Sequence, residues 1–152
     1  MSPASTMHGN ITMRLGAMLW SFVDEQKLGR VFAAETGFLI RQNPDTVRAP
    51  DVAFVDAKRI PPKGIPDTGF WAIVPDLVAE VISPYDRLSD IQDKVTDYLD
   101  AGVRLVWVVD PKTATVTVYE SLKQIAILIG DDVLTGGAVV PGFQLPLPKL
   151  FS

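Results

Sequence analysis

The sequence predicts an α/β (α+β) fold in which a mixed β-sheet is flanked by helices. Two segments, 76–82 (DLVAEVI) and 104–109 (RLVWVV), are largely apolar on both faces if their side chains alternate as in a strand. That is the pattern of buried central strands. Residues 11–26 instead repeat their apolar positions at helical spacing. The order helix, three strands, helix, then further strands fits helices laid against a mixed sheet. At 152 residues, 47% apolar and 21% charged, the chain suits a single domain over 1–152 with one core.

Residues 1–9 (MSPASTMHG) are small and polar and read as irregular, with His8, the sole histidine, as a surface or loop residue. Asn10 is the expected helix cap. Ile11, Leu15, Met18, Leu19, Phe22 and Val23 then form one apolar face, and Gly29 is the expected stop. Residues 30–40 (RVFAAETGFLI) read as the first strand and 41–49 as a polar loop. Pro50 opens a second strand over 51–56. Three prolines and two glycines within 58–69 mark a long loop, expected to be mobile.

The third strand, 76–82, ends at Ser83-Pro84. Ser89 stands three residues before Gln92, a capping-box spacing, so a helix is expected to run to Asp100 and stop at Gly102. Strand 104–109 turns through Asp110-Pro111-Lys112 into 113–119 (TATVTVY), a β-prone hairpin partner. Segments 124–129 and 132–134 continue that style and predict C-terminal β-hairpins before a Pro/Gly-rich end. Trp20 and Trp107 fall on apolar faces and are expected in the core, whereas Trp71 lies at a loop-to-strand junction where it could shield a cleft.

The chain has no cysteine, which removes disulfide and zinc–thiolate chemistry and fits a reducing interior. No apolar run approaches the roughly 18 residues of a membrane span, and the N-terminus lacks a signal-peptide pattern. The expected location is the cytoplasm, with no membrane partner. Net charge is −4 and uneven: residues 1–65 hold eight Lys/Arg against six Asp/Glu, and residues 66–152 hold six against twelve. An acidic chain is a poor non-specific nucleic-acid binder, because phosphate neutralisation supplies most of that affinity.

Glu80 is the one carboxylate inside an otherwise apolar strand, on the face of Val78 and Ile82. An ionised carboxylate there is costly unless it is paired or binds a metal. Asp51 begins the preceding strand, on the face of Ala53 and Val55. If the strands are neighbours, the two acids share a site. Two close carboxylates repel unless a cation lies between them, and Mg²⁺ accepts one or two carboxylates with waters and phosphate oxygens. On the following helix, Ile91, Val95, Tyr98 and Leu99 define the buried side. Lys94 sits at its edge, placed to reach inward, while Asp90, Asp93 and Asp97 face solvent. Glu35 in the first strand is a further candidate acid. Plainer readings stay open: Asp51 as an acid bonded to a backbone amide, Glu80 in a buried ion pair, Lys94 as a lysine snorkelling from a helix edge.

The stretches RAPDVAFV, PDLVAEVISPYDR and DKVTDYLDAGVRLVWVVDP resemble the Uma-type family of putative restriction endonucleases, a bacterial branch of the PD-(D/E)XK nuclease superfamily. The resemblance runs from about residue 1 to 111 and continues loosely to the end. It implies a restriction-endonuclease-like core ordered α-β-β-β-α-β and Mg²⁺-dependent hydrolysis of phosphodiester bonds, with Mn²⁺ able to substitute. It implies that Asp51 is the acid of the PD motif, Glu80 the acid of the (D/E)XK strand, both metal ligands, and Glu35 an accessory acid. The lysine expected two residues after Glu80 is replaced by Ile82. In this branch it has moved to the next helix, where Lys94 stands. Similar chains carry a further segment with a β-hairpin ahead of MSP, so a shortened domain with impaired activity is also an expectation.

Two functions of different class therefore stand. One is a Mg²⁺-dependent endonuclease acting on nucleic acid, DNA first, with Arg41, Arg48, Lys58, Arg59 and Lys63 as nucleic-acid contacts and a homodimer by analogy with enzymes that cut both strands. The other is a nuclease-fold protein that has lost catalysis and binds a partner, or itself, through an exposed β edge. A metal-dependent phosphoesterase for small nucleotides is a third.

Overall fold

The computed structural model describes residues 4–152. Helix α1 spans Thr6–Gln26 and is capped by Ser5, whose side chain accepts a hydrogen bond from the His8 amide. It therefore begins a turn before Asn10, which lies inside it. Lys27, in the left-handed region at φ 55°, ends the helix, and its N–H bonds back to Val23 and Asp24. Gly29 is not the stop; it opens β1 (Gly29–Ala33). A Cβ at Gly29 would lie 2.1 Å from the Val55 carbonyl oxygen, so this backbone approach needs glycine.

The expected strand over 30–40 is two strands. The chain turns at Glu35 (φ 71°), and β2 (Phe38–Arg41) then pairs antiparallel with β3 (Thr46–Arg48) in a small sheet of its own. The polar segment 41–49 is thus partly strand. Next come β4 (Val52–Asp56), a short 3₁₀ turn at Ala57–Arg59 and a long connection to β5 (Leu77–Val81). That connection is pinned at Trp71, whose N–H donates to Gly37 and whose carbonyl accepts from Leu39. Its ring packs edge-on against Phe32.

Helix α2 (Leu88–Ala101) has Arg87 at its N-terminus with no side-chain cap, so Ser89 is the helix's second residue and no cap. Gly102 ends α2 as expected, in the left-handed region at φ 105°. Strands β6 (Leu105–Asp110), β7 (Thr115–Ser121) and β8 (Gln124–Leu128) follow. The chain closes with β9 (Val133–Gly136), β10 (Val140–Pro146) and a short helix α3 (Leu147–Phe151), the last two lying in the Pro/Gly-rich end.

One six-stranded sheet, ordered β1-β4-β5-β6-β7-β8, carries the domain. Only the β5–β6 pair is parallel, because only there does a helix, α2, carry the chain back to the starting edge. Removing the inserted β2–β3 hairpin leaves the order α-β-β-β-α-β, with strands added after it. Each sheet face has its own core. Alternate residues Val52, Phe54, Ala79 and Trp107 face α1, β9, β10 and α3. Their neighbours Ala53, Val55, Val78 and Val106 face α2 and the β2–β3 hairpin. This accounts for the doubly apolar character of β5 and β6. Trp107 is fully buried and stacks on Phe143, whereas Trp20 is 53% exposed and is no core residue. Among the described residues no helix is long and apolar enough to cross a membrane.

Candidate active site

Strands β4 and β5 pair antiparallel with Val52 opposite Ala79 and Ala53 opposite Val78. One step further, the same register sets Asp51 opposite Glu80. Glu80 falls on the α2 face of the sheet, two residues from Val78 of that core, whereas Asp51, just ahead of β4, meets His8 of α1 and the backbone of β5. The Asp51 carboxylate is held through Oδ2, which accepts from the Val81 amide at 2.8 Å and lies 3.3 Å from His8 Nε2. Oδ1 of Asp51 takes neither contact.

Glu80 is 5% exposed. Two residues one turn apart on α2 answer its charge. The Tyr98 hydroxyl donates to Oε1 at 2.6 Å, and Lys94 Nζ lies 3.8 Å from Oε2. Burial nonetheless wins: it pushes the Glu80 carboxyl from 4.5 up to about 7, against the opposing pull of Lys94 and Tyr98 and with the help of Asp51 and Asp86. Burial and the adjacent Glu80 charge push the Tyr98 hydroxyl up as well, so it stays protonated and donates.

The donor set suits a hard cation that keeps its own waters. Asp51 offers Oδ1, and Glu80 is a carboxylate whose ionisation is costly in the metal-free site and would be relieved by a cation. Among the described residues no group of three or more His, Cys, Asp or Glu could hold an ion. A closed protein cage is therefore not what is built. Mg²⁺, which needs only one or two carboxylates, fits the pair Asp51 and Glu80.

The remaining residues singled out in the sequence lie elsewhere. Glu35 is exposed in the turn after β1 and not in a strand. Ile82 donates its backbone N–H to Val109 at the end of β5 and brings no charge to the site. Arg48 makes a close ion pair with Asp97 of α2, and Arg41 lies 3.7 Å from the same carboxylate. Asp97 is thus not a solvated acid: it ties the β2–β3 hairpin to α2, one position from Tyr98. Arg59 bonds to Asp76 and to the Val74 carbonyl. Asp76, 3% exposed, also accepts from the Asp56 amide. Lys58 and Lys63 are exposed. Lys58 and Arg59 belong to the end of β4 and β5 opposite the acids, because an antiparallel connection must leave from that end.

Two site residues escaped the sequence reading. Tyr98 reads there as core, and its hydroxyl is the closest partner of Glu80. His8, read as a surface or loop residue, lies in α1 against Asp51 with 14% of its side chain exposed. It stands three and seven residues before Ile11 and Leu15, on the same buried stripe. Extending the helix one turn towards the N-terminus would have revealed it. Beside it an apolar groove of about 750 Å³ runs between α1 and β1, with Met13, Trp20 and Phe32 in its walls and Asp51 at its border.

A crystal structure of a putative nuclease belonging to DUF820 from Anabaena variabilis ATCC 29413 is similar, with a TM-score of 0.85 at 22% identity over 99% of this chain and 83% of that one. At that identity the likeness establishes the fold. No curated protein matches the chain. Residues 1–148 match the family model Uma2, described as "Putative restriction endonuclease". With nearly its whole length matched and the acids of its central strands side by side, the chain belongs to the Uma2 family.

Proposed function

We propose that the chain is a Mg²⁺-dependent endonuclease of the PD-(D/E)XK type that hydrolyses phosphodiester bonds, with DNA as substrate. The observation that carries this reading is the ion pair of Lys94 with Glu80, Nζ 3.8 Å from Oε2, on a strand whose next residue, Val81, donates its amide to Asp51. Asp51 and Glu80 would hold the metal, which supplies Lewis-acid polarisation of the scissile phosphate and an acidified attacking water. Lys94 brings a positive charge beside the reacting phosphate, where it orients the water or stabilises the charge that develops on phosphorus. His8 and the Val81 amide hold Asp51 through Oδ2, and Tyr98 fixes the Glu80 rotamer. These three are positioning groups. Partners of metal ligands of this kind are typically worth about 10–100-fold in affinity or activity.

Arg41 and Arg48 would reach the nucleic acid from the β2–β3 hairpin, although Asp97 neutralises part of their charge. Lys58, Arg59 and Lys63 would meet flanking backbone. The acidic balance of the chain makes DNA binding weak and strongly salt-dependent.

The test is nicking of supercoiled plasmid at low salt. Wild type is expected to require Mg²⁺ or Mn²⁺. Glu80→Ala is expected to lose cleavage by at least about a hundredfold while keeping its circular dichroism spectrum. Equal cleavage by the variant would remove Glu80 from the mechanism. Inactivity of the wild type on DNA and RNA alike would favour the interaction-domain reading.

A further inference from the structure

Helix α2 is longer than the sheet it covers. Lys94 and Tyr98 meet Glu80, and β5 ends one residue after Glu80. Leu88 opens α2 six residues before Lys94, about 9 Å further along the axis at 1.5 Å per residue. The first turns of α2, with the loop 83–87 that leads into them, therefore overhang the end of the sheet at which the two acids sit. Leu88 marks this overhang. It continues the stripe of Ile91, Val95 and Tyr98 at helical spacing, yet it is 70% exposed while those three are buried. Tyr85, on the loop, is 74% exposed.

The same end holds uncommitted positive charge. Five of the seven arginines are engaged elsewhere: Arg14 by the Leu150 carbonyl, Arg41 and Arg48 by Asp97, Arg59 and Arg104 by Asp76. Arg30 lies opposite Val55, towards the far end of β4. Arg87 stands at the start of the overhang, exposed and in no ion pair among the described residues. Lys112 is its counterpart on the neighbouring strand. Ile82 donates its N–H to Val109, so the exits of β5 and β6 lie side by side. Lys112 is exposed in the turn after β6 and is likewise in no ion pair among the described residues. Asp86, the acid of the loop, turns back to accept the Ser83 amide. Asp90, in the first turn of α2, opposes an anion and keeps the expected affinity modest.

Two exposed side chains with apolar faces, beside two free cations and next to the acids, match the parts of a nucleotide strand, its bases and its phosphates. A duplex hides the faces of its bases in the stack, whereas an unpaired strand offers them to an aromatic ring. We infer that the overhang holds an unpaired DNA strand across the acids, with a base stacked on Tyr85 beside Leu88 and the phosphates flanking the scissile one on Arg87 and Lys112. The inference rests on the nuclease reading for its substrate and narrows that substrate to single-stranded or locally opened DNA.

Fluorescence anisotropy of a labelled oligodeoxynucleotide, as a single strand and as its duplex, tests it in low-salt buffer without divalent ions, so that binding is read apart from cleavage. Wild type is expected to bind the single strand at least about fivefold more tightly than the duplex. Tyr85→Ala is expected to weaken single-strand binding by about five- to a hundredfold and to leave duplex binding unchanged, while Tyr85→Phe keeps the ring and the affinity. Arg87→Ala and Lys112→Ala should each make the plot of log affinity against log salt shallower by about 0.7 on the single strand. All three positions are exposed, so the melting temperatures should not move. No binding by wild type, equal affinity for single strand and duplex, or full affinity in Tyr85→Ala would overturn the inference. Mg²⁺-dependent nicking that is lost in Glu80→Ala but untouched in Tyr85→Ala and Arg87→Ala would overturn it too and leave the nuclease reading standing. Tyr85-dependent binding of the single strand by a protein that nicks nothing would uphold the binding surface and remove the nuclease reading instead.

Discussion

At the scale of single residues, Glu80 is where folding and function pull apart. Its folded pKa of about 7 lies above its ordinary value of 4.5. Its contribution to stability is therefore fully present below pH 4.5 and lost as pH rises towards 7, a difference of about 3 kcal/mol. Glu80→Gln removes the charge and keeps the shape. In metal-free buffer this variant is expected to melt above wild type, with the gap widening from pH 5 to pH 8 and levelling beyond. A gap that does not change with pH would show that Glu80 ionises normally.

Tyr98→Phe takes away the 2.6 Å donor to Glu80. It should cost about 1–3 kcal/mol, read from chemical denaturation, and more above pH 7 than below. A cost independent of pH would mean that the hydroxyl serves packing alone. Glu80 and Lys94 were legible in the sequence because a charge breaks the apolar pattern of a strand and a helix stripe. Tyr98 was not: an aromatic residue on a buried stripe looks the same whether its hydroxyl is idle or bonded to a carboxylate.

At the scale of elements, α2 does two jobs. Ile91, Val95 and Tyr98 cover one face of the sheet, while Asp97 fastens Arg41 and Arg48 of the β2–β3 hairpin. These pairs are partly exposed, so Asp97→Ala should cost at most about 1 kcal/mol globally. Its main expected effect is local: faster amide exchange in β2 and β3, with β4, β5 and β6 unchanged. Uniform exchange would mean that the hairpin does not depend on this anchor. The central elements were legible because each carries a single strong period. The hairpin was hidden because the turn leading into it from β1 uses Glu35, a non-glycine residue at positive φ, and its second strand is only three residues long. The start of α1 was misplaced because Ser5 and Asn10 are both good caps, and the polar run between them gives no apolar period to choose by.

At the scale of the whole molecule, the antiparallel β4–β5 pair fixes the polarity of the site. The acids sit at one end of these strands, and the connection bearing Lys58 and Arg59 leaves from the other. That separation was invisible in the sequence, where basic residues could be counted but not placed. The two-sided core holds Glu80 in a dry setting, and in the proposed site that dryness would give a cation its purchase on Asp51 and Glu80. If a metal binds there as proposed, binding and proton release are linked, and affinity should rise with pH through about 7.

The most direct test is Mn²⁺ calorimetry at pH 8 on wild type and Glu80→Ala. Saturable binding to wild type that is lost in the variant, weakening as the pH is lowered to 6, is the result this account predicts. Binding that survives the substitution, or a folded wild type that takes up no ion, would contradict a metal site at Asp51 and Glu80.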